Sequence, residues 1–143
     1  MIIVLDSNVW ISGIFWSGPP HEIIALAERE VIALATSEDL LSELFGVLAR
    51  EKFTPYFVAT KTDLQTVREQ VLSLIHLYPT METVTAITED PADNMVLACA
   101  LAADADCMVS GDDHLLSLKT FRDIPILTPR RFLQRLKNLG LIG

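Results

Sequence analysis

The chain has few cysteines, few basic residues and no long apolar run, and each shortage excludes a class of protein. Its two cysteines, Cys99 and Cys107, lie in apolar segments without CxxC spacing or a histidine-rich partner segment. Disulfide frameworks and zinc sites both require paired or clustered ligands. We therefore interpret the two cysteines as reduced thiols in the core of a cytosolic protein.

The apolar segments are too short for a membrane-spanning helix, which needs about 20 consecutive apolar residues. The apolar run at residues 2–5 ends at Asp6 and has no basic segment before it. The segment at residues 95–103 is also too short. A secretory signal would need both a basic segment and a longer apolar one. We expect neither secretion nor membrane insertion, and a cytoplasmic location.

Acidic residues outnumber basic ones by 19 to 11, which gives a formal net charge of −8. Proteins that hold nucleic acid mainly by bulk electrostatics need many Lys and Arg at the interface. A bound cation would offset part of the acidic charge, and basic residues elsewhere could then contact a phosphate backbone. The C-terminal segment carries a basic set made of Arg130, Arg131, Arg135 and Lys137. Such a set most often forms a solvated helix face, and contact with a nucleic-acid substrate is the alternative.

Strand and helix patterns alternate along the chain, and no repeat, low-complexity tract or linker interrupts them. The predicted strands are residues 2–5, 31–35, 107–109 and 124–127, with a further strand within residues 79–88. The predicted helices are residues 7–16, 22–30, 38–52, 61–77, 91–103 and 130–138. This alternation implies a parallel sheet with helices on both faces. A chain of 143 residues that is 50% hydrophobic suits one core. We predict a single α/β domain over residues 1–143, built as a three-layer α/β/α sandwich around a central parallel sheet.

Two acidic residues follow predicted strands. Asp6 comes directly after residues 2–5, and Asp112 follows residues 107–109 after a Ser-Gly step. Both would project from the carboxyl edge of the sheet, where α/β proteins build their sites. Clustered carboxylates at such an edge predict a site for Mg²⁺ or Mn²⁺, which prefer oxygen ligands.

Two further acids, Glu43 and Asp93, lie on predicted helices and have competing interpretations. Glu43 falls at the border of the apolar stripe of helix 38–52, and Glu38 borders the opposite edge of that stripe. Helix geometry alone therefore does not choose between the two. Asp93 follows an Asp90 N-cap and Pro91, where an acid stabilises the helix dipole by roughly 0.3 to 1 kcal/mol. Helix stabilisation is thus the alternative to a metal-binding role for Asp93.

Taken in order, the segments LDSN, SELFGVL, DPADN and SGDD, followed by ILTPRRFL, resemble a PIN-domain ribonuclease. This family includes the VapC-type toxins of bacterial toxin–antitoxin pairs. The resemblance extends over nearly the whole chain, and its specificity comes from the order and spacing of the segments rather than from any one of them. It places the family's catalytic and supporting residues at these positions: catalytic Asp6, Glu43, Asp93 and Asp112, and supporting Asn8 and Ser110.

The resemblance implies a metal-dependent endoribonuclease in which two Mg²⁺ or Mn²⁺ ions act on an RNA phosphodiester bond. The products would carry a 5′-phosphate and a 3′-hydroxyl. Asp6, Asp93 and Asp112 would hold the metal, and Glu43 would bind it directly or orient the attacking water. The implied partners are a small antitoxin protein, which would insert a helix or arm near the acidic cleft, and a second copy of the chain in a homodimer.

The sequence departs from one common variant of the family at His114, where that variant has a further acid, and the neighbouring Asp113 is a candidate replacement. Two alternatives therefore stay open: a PIN-type module that binds metal or a partner without turnover, and a nuclease that processes RNA without being a toxin. Asn8 stands where aspartate-nucleophile phosphatases need a second acid, which argues against that class. Trp10 and Trp16 are predicted as core or dimer-interface residues.

Overall fold

A mostly parallel sheet organises the molecule. The computed structural model describes residues 1–81, 84 and 90–143. In these residues the strands are β1 (Ile2–Leu5), β2 (Ala33–Thr36), β3 (Ile75–Leu77), β4 (Cys107–Val109), β5 (Thr120–Phe121) and β6 (Ile124–Leu127). The helices are α1 (Ser7–Phe15), α2 (Pro19–Glu28), α3 (Glu38–Leu48), α4 (Thr54–Ala59), α5 (Leu64–Leu74), α6 (Pro91–Ala103), α7 (Asp113–Leu116) and α8 (Pro129–Asn138). The strand order is β3-β2-β1-β4-β6-β5, and only the pair of β5 with β6 is antiparallel.

Strand β1 lies at the centre of this sheet, between β2 and β4. Its side chains alternate between the two faces, as the strand geometry requires. Ile3 and Leu5 pack into a core with residues of α1, α2, α5 and α8, whereas Val4 packs into a second core with residues of α6 and α7. Helices therefore cover both faces of the sheet, and the predicted α/β/α sandwich is confirmed.

Helix α6 begins as its sequence predicts. The Asp90 side chain accepts a hydrogen bond of 2.9 Å from the backbone N–H of Ala92, and Pro91 is the first helical residue. The helix ends at Asp104, which adopts a left-handed conformation with φ 48°. This start places Asp93 in the first turn, on the buried side of the helix.

The predicted helix at residues 61–77 is wrong at its C-terminal end. Helix α5 stops at Leu74, and the next three residues form the edge strand β3. Leu34 pairs with Ile75 and Thr36 pairs with Leu77, so a distant strand fixes this conformation. Local helical periodicity does not contain that information, because sheet pairing depends on tertiary neighbours.

The other differences concern short elements and element ends. Helix α3 stops at Leu48 rather than at residue 52, and a 3₁₀ turn (Glu51–Phe53) and α4 follow it. Helix α7 and strand β5 were not predicted. Of the strand predicted within residues 79–88, the described residues 79–81 and 84 form no strand, and the others lie outside the described residues. Across the described part of the chain, no helix combines the length and apolar character needed to cross a membrane.

Candidate metal centre

Three aspartates from separate parts of the sequence meet at the carboxyl edge of β1 and β4. Asp6 follows β1, Asp112 caps α7 after β4, and Asp93 lies in the first turn of α6. One carboxylate oxygen from each side chain lies within 4.8 Å of the others. Asp6 and Asp93 are buried, and Asp112 is half-buried. The sheet and the start of α6 therefore build one acidic cluster, although Asp6 lies 87 positions before Asp93 in the sequence.

Ser110 joins two members of this cluster. Its hydroxyl donates a hydrogen bond of 2.8 Å to Oδ2 of Asp6 and accepts one of 2.9 Å from the backbone N–H of Asp112. The Ser110 side chain has no exposed surface. Backbone bonds hold the same corner, since the N–H of Asp6 donates to Val109 and the N–H of Ser110 donates to Leu127. The orientation of Asp6 and the position of Asp112 are thus fixed by neighbouring strands.

The cluster is electrostatically costly without a cation. Burial raises the pKa of Asp93 from 3.8 to about 7, assisted by its hydrogen bond with Asp112 and by the charges of Asp112, Asp90 and Asp6. Burial also raises the pKa of Asp6, while the hydrogen bonds from Ser110 and from the Ser7 backbone lower it. Like charges held this close disfavour simultaneous ionisation. The cluster therefore keeps a proton near neutral pH unless a positive charge replaces it.

Oδ2 of Asp93 is the observation that points to a ligand. This oxygen is buried and has no hydrogen-bond partner within residues 1–81, 84 and 90–143. A buried polar atom without a partner is destabilising, and native proteins rarely leave one. Three carboxylates with one unsatisfied oxygen suit a hard divalent cation such as Mg²⁺, which is bound by carboxylates and water. Asp6, Asp93 and Asp112 are therefore chemically able to hold such a cation.

Glu43 lies beside this cluster without belonging to the group of three. It is half-buried on α3, and the Ser7 hydroxyl hydrogen-bonds its carboxylate. Burial raises the pKa of Glu43, the bond from Ser7 lowers it, and the nearby charges of Asp6 and Asp90 raise it. Glu38, the alternative on the same helix, is exposed. Of these two glutamates of α3, Glu43 is therefore the one that lies close to the acidic cluster.

The sequence of the chain matches a known protein family. A family model described as PIN domain matches residues 2–114. The chain belongs to the PIN-domain family. No curated protein is significantly similar to this PIN domain.

Two solved structures share the fold of this PIN domain. One is VapBC2 from Rickettsia felis bound to a DNA fragment from its promoter, with 18% identity, a TM-score of 0.59, and coverage of 88% of this chain and 97% of the matched chain. The other is FitAcB from Neisseria gonorrhoeae, with 21% identity, a TM-score of 0.52, and coverage of 90% and 98%. Identities this low support a common fold and no more.

The other residues that the sequence predicts for the site differ in how deeply they are buried. Ser110 is inside the cluster, whereas Asn8 and Asp113 are exposed at the rim. His114 is also exposed, but its backbone N–H donates a 2.8 Å hydrogen bond to Oδ1 of Asp112 and so helps to orient that carboxylate. The structure therefore brings Ser110 into contact with the acids and shows no such contact for Asn8 among the described residues.

Ser7 is the site residue that the sequence interpretation missed. It is buried, with an exposed fraction of 5%, and its hydroxyl contacts Glu43 while its backbone N–H acts on Asp6. Both Ser7 and Asn8 follow Asp6 in the sequence, and both are small polar residues. Only the direction in which α1 leaves the strand determines which of them faces the acids. The available sequence signal is helical spacing. Ser7 lies three and four residues before Trp10 and Ile11, so it shares the buried side of α1 with them.

Proposed function

We propose that this PIN domain is a metal-dependent endoribonuclease that hydrolyses RNA phosphodiester bonds. The observation that supports it most directly is the buried, unsatisfied Oδ2 of Asp93 within an aspartate cluster whose oxygens lie within 4.8 Å of one another. An acidic cluster of this kind in a PIN domain is consistent with a nuclease. The proposal goes further in naming RNA as the substrate and two Mg²⁺ or Mn²⁺ ions as the cofactor.

In this proposal Asp6, Asp93 and Asp112 hold the cations. When bound, the cations polarise the phosphodiester and offset the charge that develops on it. Ser110 is a positioning residue, because its hydroxyl fixes the Asp6 carboxylate and anchors the backbone of Asp112. Asn8 and Asp113 lie at the rim, where they would support the outer contacts of the site.

Glu43 takes the proton of the attacking water in this scheme. The water oxygen bonds to phosphorus, its proton passes to the Glu43 carboxylate, and the bond from phosphorus to the 3′ oxygen breaks. The 3′ oxygen gains a proton from solvent, which leaves a 3′-hydroxyl and a 5′-phosphate. A carboxylate with a raised pKa is a better base than an ordinary one, and burial raises the pKa of Glu43.

The test is cleavage of single-stranded and structured RNA by the purified protein, with Mg²⁺, with Mn²⁺ and with a chelator. We expect cleavage that the chelator abolishes, and a loss of at least 100-fold in Glu43→Gln, in line with typical losses for acid–base groups. Asp6→Asn removes a proposed metal ligand and should lose most of the activity as well. Glu38→Gln is the matched control, because it makes the same change at an exposed position of the same helix. Products with a 2′,3′-cyclic phosphate would refute the mechanism. Mg²⁺ binding without cleavage of any RNA would favour a PIN module without turnover.

We further propose that the protein is the toxin of a toxin–antitoxin pair. The supporting observation is that the structural neighbours are toxin–antitoxin complexes. A small antitoxin would insert a helix or arm near the acidic cleft. Induced expression in a bacterial host should arrest growth, and Asp6→Asn should not. Cleavage in vitro without growth arrest would favour an RNA-processing nuclease instead.

We also propose a homodimer, for which an exposed aromatic pair is the supporting feature. Trp10 is in the core, with 4% of its surface exposed, whereas Trp16 is 46% exposed and Tyr56 is 39% exposed. The rings of Trp16 and Tyr56 lie 5.0 Å apart between centroids, and both contact Phe15. Light scattering at micromolar concentration should give a dimer mass, and Trp16→Arg should reduce it. A monomeric wild-type protein would refute the dimer.

A further inference from the structure

The basic residues of this acidic protein are concentrated in its last segment. Residues 124–143 contain no Asp or Glu, and they contain four of the 11 basic residues. All four lie on α8, and their side chains are exposed: Arg130, Arg131, Arg135 and Lys137. The opposite side of α8 packs into the core through Phe132, Leu133 and Leu136. This helix therefore presents the densest positive charge on a chain whose net charge is −8.

The sheet order brings the start of α8 to the edge that carries the aspartates. Strand β6 is parallel to β4, and β4 is parallel to β1, so all three have their carboxyl ends at one edge. Two strand spacings separate β6 from β1, which is about 10 Å. A short hydrogen-bonded path also connects them, from Asp6 to Ser110 and from the N–H of Ser110 to the carbonyl of Leu127. Helix α8 begins two residues after Leu127.

Arg130 and Arg131 are the two cations of α8 that lie at this edge. They are in the first turn of the helix, where Thr128 caps it by accepting a 3.2 Å hydrogen bond from the N–H of Arg131. Helical side chains lean toward the N-terminus, so both guanidinium groups lean toward the carboxyl edge of the sheet. Neither has an ion-pair partner in the described residues 1–81, 84 and 90–143. As far as the described residues go, both groups are therefore open to a ligand.

Arg135 and Lys137 lie toward the other end of the helix. The charge of Arg135 acts on the Cys107 thiol, at the amino end of β4. Lys137 lines a groove with Leu26 and Arg29, where α2 ends. Lys137 is on the same side of α8 as Arg130 but about 10 Å further along, and Arg135 is one turn beyond Arg131. The helix thus supplies two pairs with equal charge, of which one lies at the edge of the sheet that carries the acidic cluster.

We propose that Arg130 and Arg131 bind the phosphate backbone of the RNA beside the bond that is cut, an inference that rests on the proposed ribonuclease function. The guanidinium group suits this task, because its planar fork matches the oxygens of a phosphate and stays charged at any physiological pH. The two arginines would also relieve the repulsion that the acidic surface exerts on an approaching polyanion. The cut strand would then run from the start of α8 across the ends of β4 and β1.

The test compares two double variants that make the same change in charge. Arg130→Ala/Arg131→Ala removes the pair at the acidic edge, and Arg135→Ala/Lys137→Ala removes the pair nearer the C-terminal end of α8. Affinity for a labelled single-stranded RNA is measured with Mg²⁺ present over a range of salt concentrations. Adding Asp6→Asn to every protein in this assay prevents cleavage. KM and kcat are measured separately in proteins that keep Asp6. Circular dichroism and thermal melting check that each variant folds.

We expect the first variant to bind RNA roughly tenfold more weakly, with KM raised and kcat nearly unchanged. Its salt dependence should become shallower by about 1.4 in the slope of log K against log salt, since each lost phosphate contact contributes about 0.7 on a single strand. The second variant should resemble the unmodified protein. Equal weakening by both variants, or by neither, would overturn the inference while the ribonuclease function stands. If the unmodified protein neither binds nor cleaves RNA, the proposed function itself is refuted.

Discussion

The strongest prediction concerns the buried charge of Asp93 in the metal-free protein. Burial and its acidic neighbours raise the pKa of this carboxyl from 3.8 to about 7. A group that ionises less readily in the folded state than in the unfolded state opposes folding once it is charged. The folded protein should therefore lose stability as the pH rises from about 4 to about 7, and the loss should be complete above pH 7. At 1.36 kcal/mol per pKa unit, a shift of this size corresponds to about 4 kcal/mol.

Asp93→Asn removes this charge with almost no change in shape. Because Asp93 and Asp112 share the titration, the replacement should recover only part of the energy, about 2 kcal/mol or more at pH 8, and much less at pH 4. The amide of the variant also donates to Asp112, which keeps the hydrogen bond that the protonated carboxyl makes. The assay is urea unfolding with a chelator present, at several values between pH 4 and pH 8, for both proteins.

The same measurement with Mg²⁺ supplies the control. A cation that binds only the folded state stabilises it in proportion to the logarithm of its concentration. The unmodified protein should therefore gain stability with Mg²⁺ at pH 8, and Asp93→Asn should gain much less. Parallel pH profiles for the two proteins in chelator would show that Asp93 carries no strained charge in the folded protein, and would remove the electrostatic support for a metal centre.

Three further predictions follow from particular contacts. Ser110→Ala removes the hydroxyl that holds Asp6, so Mg²⁺ affinity measured by calorimetry should fall roughly 10- to 100-fold, and unchanged affinity would exclude its positioning role. The raised pKa of Glu43 should place the acidic limb of the cleavage rate above pH 4.5, with the rate rising as this group deprotonates. That limb should disappear in Glu43→Gln, and an unaltered profile would mean that another group accepts the proton. Leu97→Ala, at a position with 0% exposure, should lower the free energy of unfolding by about 2 to 5 kcal/mol in urea.

Much of the acidic cluster could be predicted, because the signals for its members lie close to them in the sequence. Asp6 directly follows a short aliphatic run, and the Asp90–Pro91 start of α6 fixes which turn holds Asp93. Strand ends of a parallel sheet meet at one edge, so Asp6 and Asp112 were expected to approach each other. The α/β/α layers were likewise predictable, since alternation of strands and helices leaves few other arrangements.

The parts that were missed depend on contacts between distant residues. Residues 75–77 form a strand because they pair with the edge of β2. Their residue types alone do not distinguish a strand from the end of a helix. The choice of Ser7 over Asn8 depends on how α1 turns away from β1. The choice of Glu43 over Glu38 depends on which side of α3 faces that turn. The strand and the choice of glutamate depend on orientation, which periodicity alone leaves undetermined. Ser7 differs, because its spacing from Trp10 and Ile11 on the buried side of α1 was an available signal.

The hydrogen bond from Ser110 to Asp6 makes the geometry of the acidic cluster depend on the register between β1 and β4. Ile3 pairs with Cys107 and Leu5 with Val109 in the native alignment. A slip of one residue between β1 and β4 would carry the Asp6 carboxylate about 3.3 Å along the strand and separate it from the serine hydroxyl. If the protein is the ribonuclease proposed above, a misaligned molecule would be inactive, and only copies in which β1 and β4 pair in the native register would cleave RNA.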